Sequence, residues 1–390
     1  MPAAHDRILA ALELRKPDRV PTFDLMQEYA NIYEILRKKP LPIAFLFSNP
    51  YIAKIMDKVV AQPWVDQSRP VDKAMKDYTY DRTAASAKMG YDSAWVGYHP
   101  VWRYLSSKVV RDIYGRCWDV TLDGKGNVGT PMYRRGLISS PSDWKDWNKK
   151  DLLCLPEKNY RMFSLVQKDF GNRLFVFATF TGGLFELTWQ CMGFEPFCVA
   201  IRREKEFIRR MIGFYTDLYC IMLEAFAEAG VPGVMYPNDM AYRSGPMLNP
   251  KVFEELYGES LRRLTGTAHA LDLKIVIHSC GNVYSLLPWF ADCGFDGVHA
   301  LEPTAGVELA QAKEIIGDRL CLIGNIDVTH ILVSATKEEV FETVHRAIQD
   351  AGKAGGYILG PTNSHPGMTV RNLRWMVEAV EKYGRYPLTG

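Results

Sequence analysis

The chain has 390 residues, of which 47% are hydrophobic, as expected for a globular protein with a substantial core. Lys and Arg total 47 against 45 Asp and Glu, and this near balance excludes an extended basic face for nucleic acid. No apolar run approaches the roughly 18 residues of a membrane span, the N-terminus lacks the apolar stretch of a secretory signal, and 8 cysteines without a regular framework indicate reduced thiols, so we expect a cytoplasmic protein.

Along the chain, short apolar or β-branched runs alternate with amphipathic helical patterns. This alternation predicts parallel strands joined by right-handed crossovers. Eight such units close into a barrel more readily than they form an open sheet, and no Gly-x-Gly-x-x-Gly turn supports a doubly wound fold. We therefore predict an α/β fold, a (β/α)8 TIM barrel. The predicted strands are residues 19–24, 91–98, 174–178, 233–236, 274–278, 297–300, 320–323 and 356–359.

Two segments depart from this alternation. Residues from about 31 to 75 have a helical pattern and are predicted to form an N-terminal cap over one mouth of the barrel. Residues from about 105 to 150 contain Asp123-Gly-Lys-Gly126 between strand-like runs, which indicates a β-hairpin inserted after the second strand. With neither a low-complexity linker nor an internal repeat, residues 1–390 are predicted to form a single domain.

Catalytic groups of such barrels lie where strands end and loops begin. The most informative strand end is Ile275-Val-Ile-His278-Ser279-Cys280-Gly281-Asn282. Residues two apart in an extended segment point to the same side, so His278 and Cys280 can aim at one point. Imidazole and thiolate are a favourable pair for Zn²⁺. The alternative is a buried cysteine beside a histidine that caps the strand through hydrogen bonds.

A zinc site needs at least a third protein ligand. His365, after the eighth strand, and Asp239, after the fourth, are the two candidates. His365 could equally orient a substrate, and Asp239 could instead fix the tautomer of a histidine ligand. Cys293 and Cys321 fall within or before strands and are expected in the core.

Other strand ends supply further candidates. The carboxylates of Asp24, Glu28, Glu302 and Asp327 could act as general acids or bases, although Asp327 is also well placed to cap the next helix. Residues 181–189 could bind an anion at a helix start, but they carry no lysine.

Aromatic and amide side chains also gather at predicted strand ends and suit a flat or aromatic ligand, although some of the aromatic residues must belong to the core. The candidate substrate-binding residues are Tyr98, Phe180, Phe185, Trp189, Tyr236, Asn282 and Asn325, with Trp95 and Trp102 as neighbours.

With these residues in view, the chain resembles the uroporphyrinogen decarboxylase superfamily, and more specifically its corrinoid-dependent methyltransferase branch. The resemblance covers nearly the whole chain, and it rests on residues 16–21, 238–246, 278–282, 324–327 and 372–380.

The decarboxylase itself suits these residues less well. It binds a porphyrinogen with many carboxylates and has an Arg-rich loop after its first strand. Here that stretch is Asp24-Leu-Met-Gln-Glu28, which would repel a polyanion. His365 lies at a place like that of the decarboxylase's final-loop histidine, so a metal-free decarboxylase remains an alternative.

The methyltransferase branch uses zinc held by a His-x-Cys pair and a later Cys in the last barrel loop. His278 and Cys280 match the pair, but the last loop, Gly360-Pro-Thr-Asn-Ser-His365, has no Cys. His365 or Asp239 would replace it. A site with one thiolate is a better Lewis acid than one with two, which favours polarising an ether or phenolic oxygen.

The resemblance thus implies an O-demethylating methyltransferase that passes a methyl group from a methoxylated, aromatic small molecule to cobalamin. Because the chain lacks an Asp-x-His-x-x-Gly corrinoid-binding motif, a separate corrinoid protein would carry the cofactor. Asp24, Glu28 or Tyr98 would orient the substrate or protonate the departing oxygen. Methyl transfer from methylcobalamin to a thiol or folate, and a non-catalytic barrel that binds an aromatic ligand, remain alternatives. A homodimer is also compatible with the sequence.

Overall fold

A computed structural model describes residues 4–25, 28–39, 58, 68–97, 103–106, 108–121 and 131–388. Within them the chain alternates between strands and helices, as the sequence predicts. The strands are β1 (Phe23–Asp24), β2 (Ser93–Gly97), β3 (Arg103–Ser106), β4 (Val109–Arg111), β5 (Arg116–Asp119), β6 (Met132–Gly136), β7 (Phe175–Thr179), β8 (Gly233–Pro237), β9 (Ala241–Tyr242), β10 (Gly245–Pro246), β11 (Lys274–Ser279), β12 (Gly297–Ala300), β13 (Cys321–Ile326) and β14 (Tyr357–Pro361).

Helices lie between the strands and cover the outside of the sheet. They are α1 (Ala4–Leu12), α2 (Tyr29–Leu36), α3 (Ser68–Met89), α4 (Pro141–Asp146), α5 (Lys150–Leu153), α6 (Leu155–Phe170), α7 (Leu184–Met192), α8 (Phe194–Arg203), α9 (Lys205–Glu228), α10 (Pro250–Phe253, continued by a π-helical turn over Glu254–Gly258), α11 (Glu259–Ala270), α12 (Leu287–Asp292), α13 (Leu309–Ile316), α14 (Lys337–Ala351) and α15 (Val370–Tyr383). None of these described helices is both long enough and apolar enough to cross a membrane.

Eight parallel strands form the barrel in the order β1-β2-β7-β8-β11-β12-β13-β14. A parallel bridge between Thr22 and Leu359 joins the first strand to the last. The predicted (β/α)8 barrel is therefore confirmed, and each of the eight predicted strands overlaps an observed one with small shifts at the ends.

Side chains along the barrel strands alternate between the interior and the layer beneath the helices. The interior contains Phe23, Trp95, Met235 and Val276 among others, and the face of α1 that carries Ile8 packs against this cluster. The next residues, such as Val96 and Tyr236, belong to the outer core between strands and helices. The predicted burial of Cys293 and Cys321 is confirmed.

The described chain between β2 and β7 contains a second sheet, followed by helices α4 to α6. Strands β3 to β6 pair as a four-stranded antiparallel sheet, which is wider than the hairpin that the sequence predicts. It joins α7 through Ile138, whose backbone N–H donates to the carbonyl of Cys191 over 2.8 Å. The Asp123–Gly126 turn lies outside the described residues. The predicted cap at 31–75 contains most of α2 and the start of α3. Most of the residues between these two helices lie outside the described residues.

A buried carboxylate holds the barrel together at the N-terminal ends of its strands. Asp92, just before β2, accepts from Arg19 over 2.7 Å, from Arg7 over 3.0 Å and from the backbone N–H of Thr22 over 2.8 Å. The side chain of Asp92 is only 2% exposed, so these donors replace its hydration.

We expect Asp92→Ala to lower the free energy of unfolding by about 3–5 kcal/mol, because two arginines would lose their buried partner. Asp119→Ala is the matched control, since its pair with Arg134 is 44% and 52% exposed, and it should cost less than about 1 kcal/mol. Denaturant unfolding of both variants provides the measurement. Equal losses in the two variants would contradict the structural role of Asp92.

Candidate metal centre

Three potential ligands meet at the C-terminal mouth of the barrel. Nε2 of His278 lies 3.5 Å from Sγ of Cys280 and 3.6 Å from Oδ1 of Asp239. The three ligand atoms lie within 4.8 Å of one another. Among the described residues, these three side chains form a group that could hold a metal ion. One nitrogen, one sulfur and one oxygen donor around one point fit Zn²⁺. The structure thus brings together His278, Cys280 and Asp239.

Neighbouring loops hold this group in place. The backbone N–H of Cys280 donates to Oδ1 of Asp239 over 2.8 Å, which joins the loop after β8 to the end of β11. Gly281 has φ +85°, and a Cβ there would lie 2.5 Å from the carbonyl oxygen of Ala241. Glycine is therefore required for this turn. Its N–H donates to the carboxylate of Glu302 over 2.8 Å.

His278 has a second buried histidine beside it. Nδ1 of His278 lies 2.6 Å from Nδ1 of His299, whose Nε2 lies 3.0 Å from the carbonyl oxygen of Pro361. The rings rest on Trp95, 5.0 Å from His278, and Phe23, 4.7 Å from His299. Burial lowers the pKa of His278 to about 3 and that of His299 well below its usual value. Both imidazoles are therefore neutral, the form that binds a metal.

The thiol of Cys280 is held protonated in the absence of a cation. Burial raises its pKa, and the nearby charges of Asp239 and Glu302 raise it further. The side chain that reaches it from the last barrel loop is Asn363, whose Nδ2 donates to Sγ over 3.1 Å. The sequence did not predict a role for Asn363, because in that loop only ionisable side chains were candidates for zinc ligands.

His365 lies elsewhere in the same loop. Its Nδ1 accepts from the backbone N–H of Gly367 over 3.0 Å, and it is not a member of the three-residue group. The arrangement thus favours Asp239 over His365 as the third donor, because the chain turns at 365–367 and uses the imidazole to hold that turn.

A further carboxyl group lies beside Asp239. Withdrawal from water and the charge of Asp239 raise the pKa of Glu186 to about 8, while backbone N–H groups of Asp239 and Gly183 bind it. Its Oε1 accepts from Gln190 over 3.1 Å, and the amide oxygen of Gln190 accepts from Arg116 of β5 over 2.8 Å. Glu186 was not among the predicted acids, because residues 181–189 suggested anion binding and aromatic contacts, although an acid in the first turn of α7 was the available signal.

Comparison with known proteins identifies the family. The sequence pattern of the family described as uroporphyrinogen decarboxylase (URO-D) matches residues 119–383. The chain belongs to the uroporphyrinogen decarboxylase family. The family predicted from the sequence is confirmed.

The chain spans about half the length of the curated relatives that it matches. Two proteins named methylcobamide:CoM methyltransferase MtaA, from Methanosarcina barkeri and its strain Fusaro, are 25% identical over 182 residues and 28% identical over 160. These alignments cover 46% and 41% of this chain, and 50% and 44% of the relatives. A uroporphyrinogen decarboxylase from Thioalkalivibrio sulfidiphilus is 23% identical over 182 residues, covering 45% of this chain and 49% of the relative.

The structural comparison extends over the whole barrel. A methyltransferase from Methanosarcina mazei superposes with a TM-score of 0.70 at 18% identity, covering 98% of this chain and 99% of that one. At 18% identity, this match supports the fold of the chain and says nothing about its activity.

Of the predicted catalytic residues after the first strand, Asp24 does not face the metal group. Phe23 points into the barrel, so Asp24 points outward, where it is fully buried and accepts from the hydroxyl of Ser86 on α3. Glu28 is buried at the start of α2. Tyr98 lies outside the described residues. Strand alternation thus removes Asp24 from the position that the sequence suggested.

The predicted aromatic residues form core packing around α7, instead of lining the metal group. Phe180 stacks on Tyr219 at 4.0 Å, and Phe185 meets Phe253 edge-on at 5.0 Å. The Tyr236 hydroxyl accepts from the N–H of Leu184 over 2.7 Å, and Trp189 packs 5.2 Å from Tyr133. These aromatic residues lie near strand ends in the sequence because they pack against α7 and the elements around it.

The strand-end amides mainly hold loops. Asn325 Nδ2 donates to the carbonyl of Leu301 over 2.8 Å, and Asn282 Nδ2 lies 3.4 Å from that of Ala305. Asp327 accepts from the backbone N–H of Thr329 over 2.8 Å within a turn, whereas the next helix, α14, is capped by Thr336, so the predicted helix cap at Asp327 is wrong.

The histidine pair predicts a pH dependence for the metal-free protein. Unfolded histidines take up protons near pH 6.5, whereas native His278, with a pKa of about 3, does not. The unfolded state therefore binds more protons below pH 6.5, and stability falls as the pH is lowered. We expect a loss of about 1.4 kcal/mol per pH unit for each buried histidine between pH 6 and 5. Denaturant unfolding of the wild type and His278→Phe tests this, and equal slopes would contradict it.

Proposed function

We propose that this chain is a corrinoid-dependent methyltransferase that moves a methyl group from a methoxylated small molecule to the cobalt of a separate corrinoid protein. Family membership and the likeness to methylcobamide:CoM methyltransferases support the reaction class. The observation that carries the proposal is the convergence of His278, Cys280 and Asp239 on one point at the barrel mouth.

The donor set favours an oxygen-bound methyl group over a thiol. Cys280 is the sole sulfur donor of the group, and the last loop presents the neutral amide of Asn363 to it. A centre with one thiolate and harder nitrogen and oxygen donors is a stronger Lewis acid than one with two thiolates. A bound Zn²⁺ would supply this Lewis-acid polarisation to the oxygen that carries the methyl group.

The chain's own residues supply a proton and a rigid frame. In the metal-free protein, Glu186 has a pKa of about 8 and keeps its proton near neutral pH. We assign to it, in place of Asp24, the protonation of the departing oxygen. The ring of Trp95 lies 5.0 Å from that of His278, and this aromatic neighbour of the proposed centre is compatible with an aromatic methyl donor.

Methyl transfer to a thiol is the second candidate, and the likeness to two methylcobamide:CoM methyltransferases favours it. A cobalamin-linked thiol methyltransferase would consume methylcobalamin when given a thiol. An O-demethylase would instead methylate reduced cobalamin from methoxylated aromatic compounds.

The test combines zinc analysis with a methyl-transfer screen. We expect about one zinc per chain in the wild type and in Cys154→Ser, whose thiol is exposed, and much less in Cys280→Ser and Asp239→Asn. His278→Ala should reduce methylation of reduced cobalamin by at least about 10-fold, as the loss of a metal ligand predicts.

Two results would contradict the proposal. The first is a zinc-free wild type whose activity is unchanged in His278→Ala. The second is CO₂ release from a porphyrinogen without any need for a corrinoid, which would identify a decarboxylase.

A further inference from the structure

We infer that His299 is a positioning residue that fixes His278 in the tautomer whose free lone pair lies on Nε2, facing Cys280 and Asp239. The inference rests on the metal site of the proposed function, and it does not depend on which methyl donor the enzyme uses.

The hydrogen bonds determine where each proton lies. A carbonyl oxygen can only accept, so the 3.0 Å contact with Pro361 requires a proton on Nε2 of His299. A neutral His299 then has a bare Nδ1. The 2.6 Å contact between the two Nδ1 atoms needs one proton, which His278 must provide. His278, neutral in turn, is left with a bare Nε2.

That bare nitrogen is the atom that faces the other donors. Nε2 of His278 lies 3.5 Å from Sγ of Cys280 and 3.6 Å from Oδ1 of Asp239. The opposite tautomer would place two lone pairs against each other between His278 and His299, and it would place a proton where the metal binds. The His299 acceptor therefore selects the ligating form.

Burial makes His299 hard to replace. His299 is fully buried and His278 is 5% exposed, so bulk water does not reach the Nδ1 atoms to accept the proton. The same burial disfavours an imidazolium on either ring, because a charge there would lose its hydration. Phe23 and Trp95, which pack against the pair, offer no strong acceptor.

The barrel itself sets this geometry. His278 of β11 and His299 of β12 are direct partners in the parallel ladder, and Pro361 comes from β14, two strands further on. Since the three residues are far apart in sequence, their relation follows from strand order and from no local motif.

The experiment compares three replacements of a histidine. His299→Phe keeps an aromatic ring but removes the acceptor, and His299→Asn keeps an acceptor oxygen close to the position of Nδ1. The control is His269→Asn on α11, where the histidine is 45% exposed and pairs with Asp296. Zinc affinity is measured by competition with a chelator, and nitrogen-15 spectra of histidine-labelled, metal-free wild type report the tautomers.

We expect His299→Phe to weaken zinc binding by about 10- to 100-fold, with His299→Asn and His269→Asn within a few-fold of the wild type. The wild-type spectra should show His278 protonated on Nδ1 and His299 on Nε2. Wild-type affinity in His299→Phe, equal losses in His299→Phe and His299→Asn, or a proton on Nε2 of His278 would overturn the inference.

The tautomer measurement separates this inference from the proposed function. If the wild type binds no zinc, the metal-based function fails, while the spectra of the metal-free protein still decide the role of His299. If His299→Phe does not fold, the wild-type spectra and His299→Asn still provide the test.

Discussion

The alternation of side chains along the barrel strands is the constraint on which the site depends. In a closed parallel barrel, only inward-pointing residues near the strand ends reach a common centre. Val276 and His278 satisfy this condition on β11, and Trp95 satisfies it on β2. The same rule turns Asp24 and Tyr236 outward, where they support helices instead of chemistry.

The electrostatics of the centre are complementary to a cation. Asp239 and Glu302 both raise the pKa of Cys280, and the charge of Asp239 raises that of Glu186. The thiol of Cys280, packed against these carboxyl groups, holds a proton that a divalent cation would displace, because a metal favours its thiolate form. Arg116 lies behind this cluster, where its main ionic partner is Asp112 at 2.6 Å. This composition is the physical basis on which we propose a metal ion at the group.

The sequence could predict what depends on local pattern. Strand and helix periodicity predicted the eight barrel strands, and the spacing of His278 and Cys280 on one extended segment predicted two of the three donors. Asp239 could be proposed because strand ends gather at one mouth. Each of these predictions needs only residues that are close in sequence or a general rule of the barrel.

The rest of the site depends on register and on orientation across the barrel. His299 contacts His278 because two strands pair in a particular register, and Asn363 reaches Cys280 across the last loop. Neither contact leaves a local signal in the sequence. The aromatic residues near α7 misled the prediction for the opposite reason, since a core residue and a ligand-binding residue at a strand end have the same composition.

The central claim is that the centre holds zinc with a single thiolate. X-ray absorption at the zinc edge of the purified protein tests it most directly, because sulfur and lighter donors differ in distance and scattering. The account predicts one sulfur at about 2.3 Å and the remaining ligands as nitrogen or oxygen at about 2.0–2.2 Å. A shell with two sulfurs, or one with no sulfur, would contradict it.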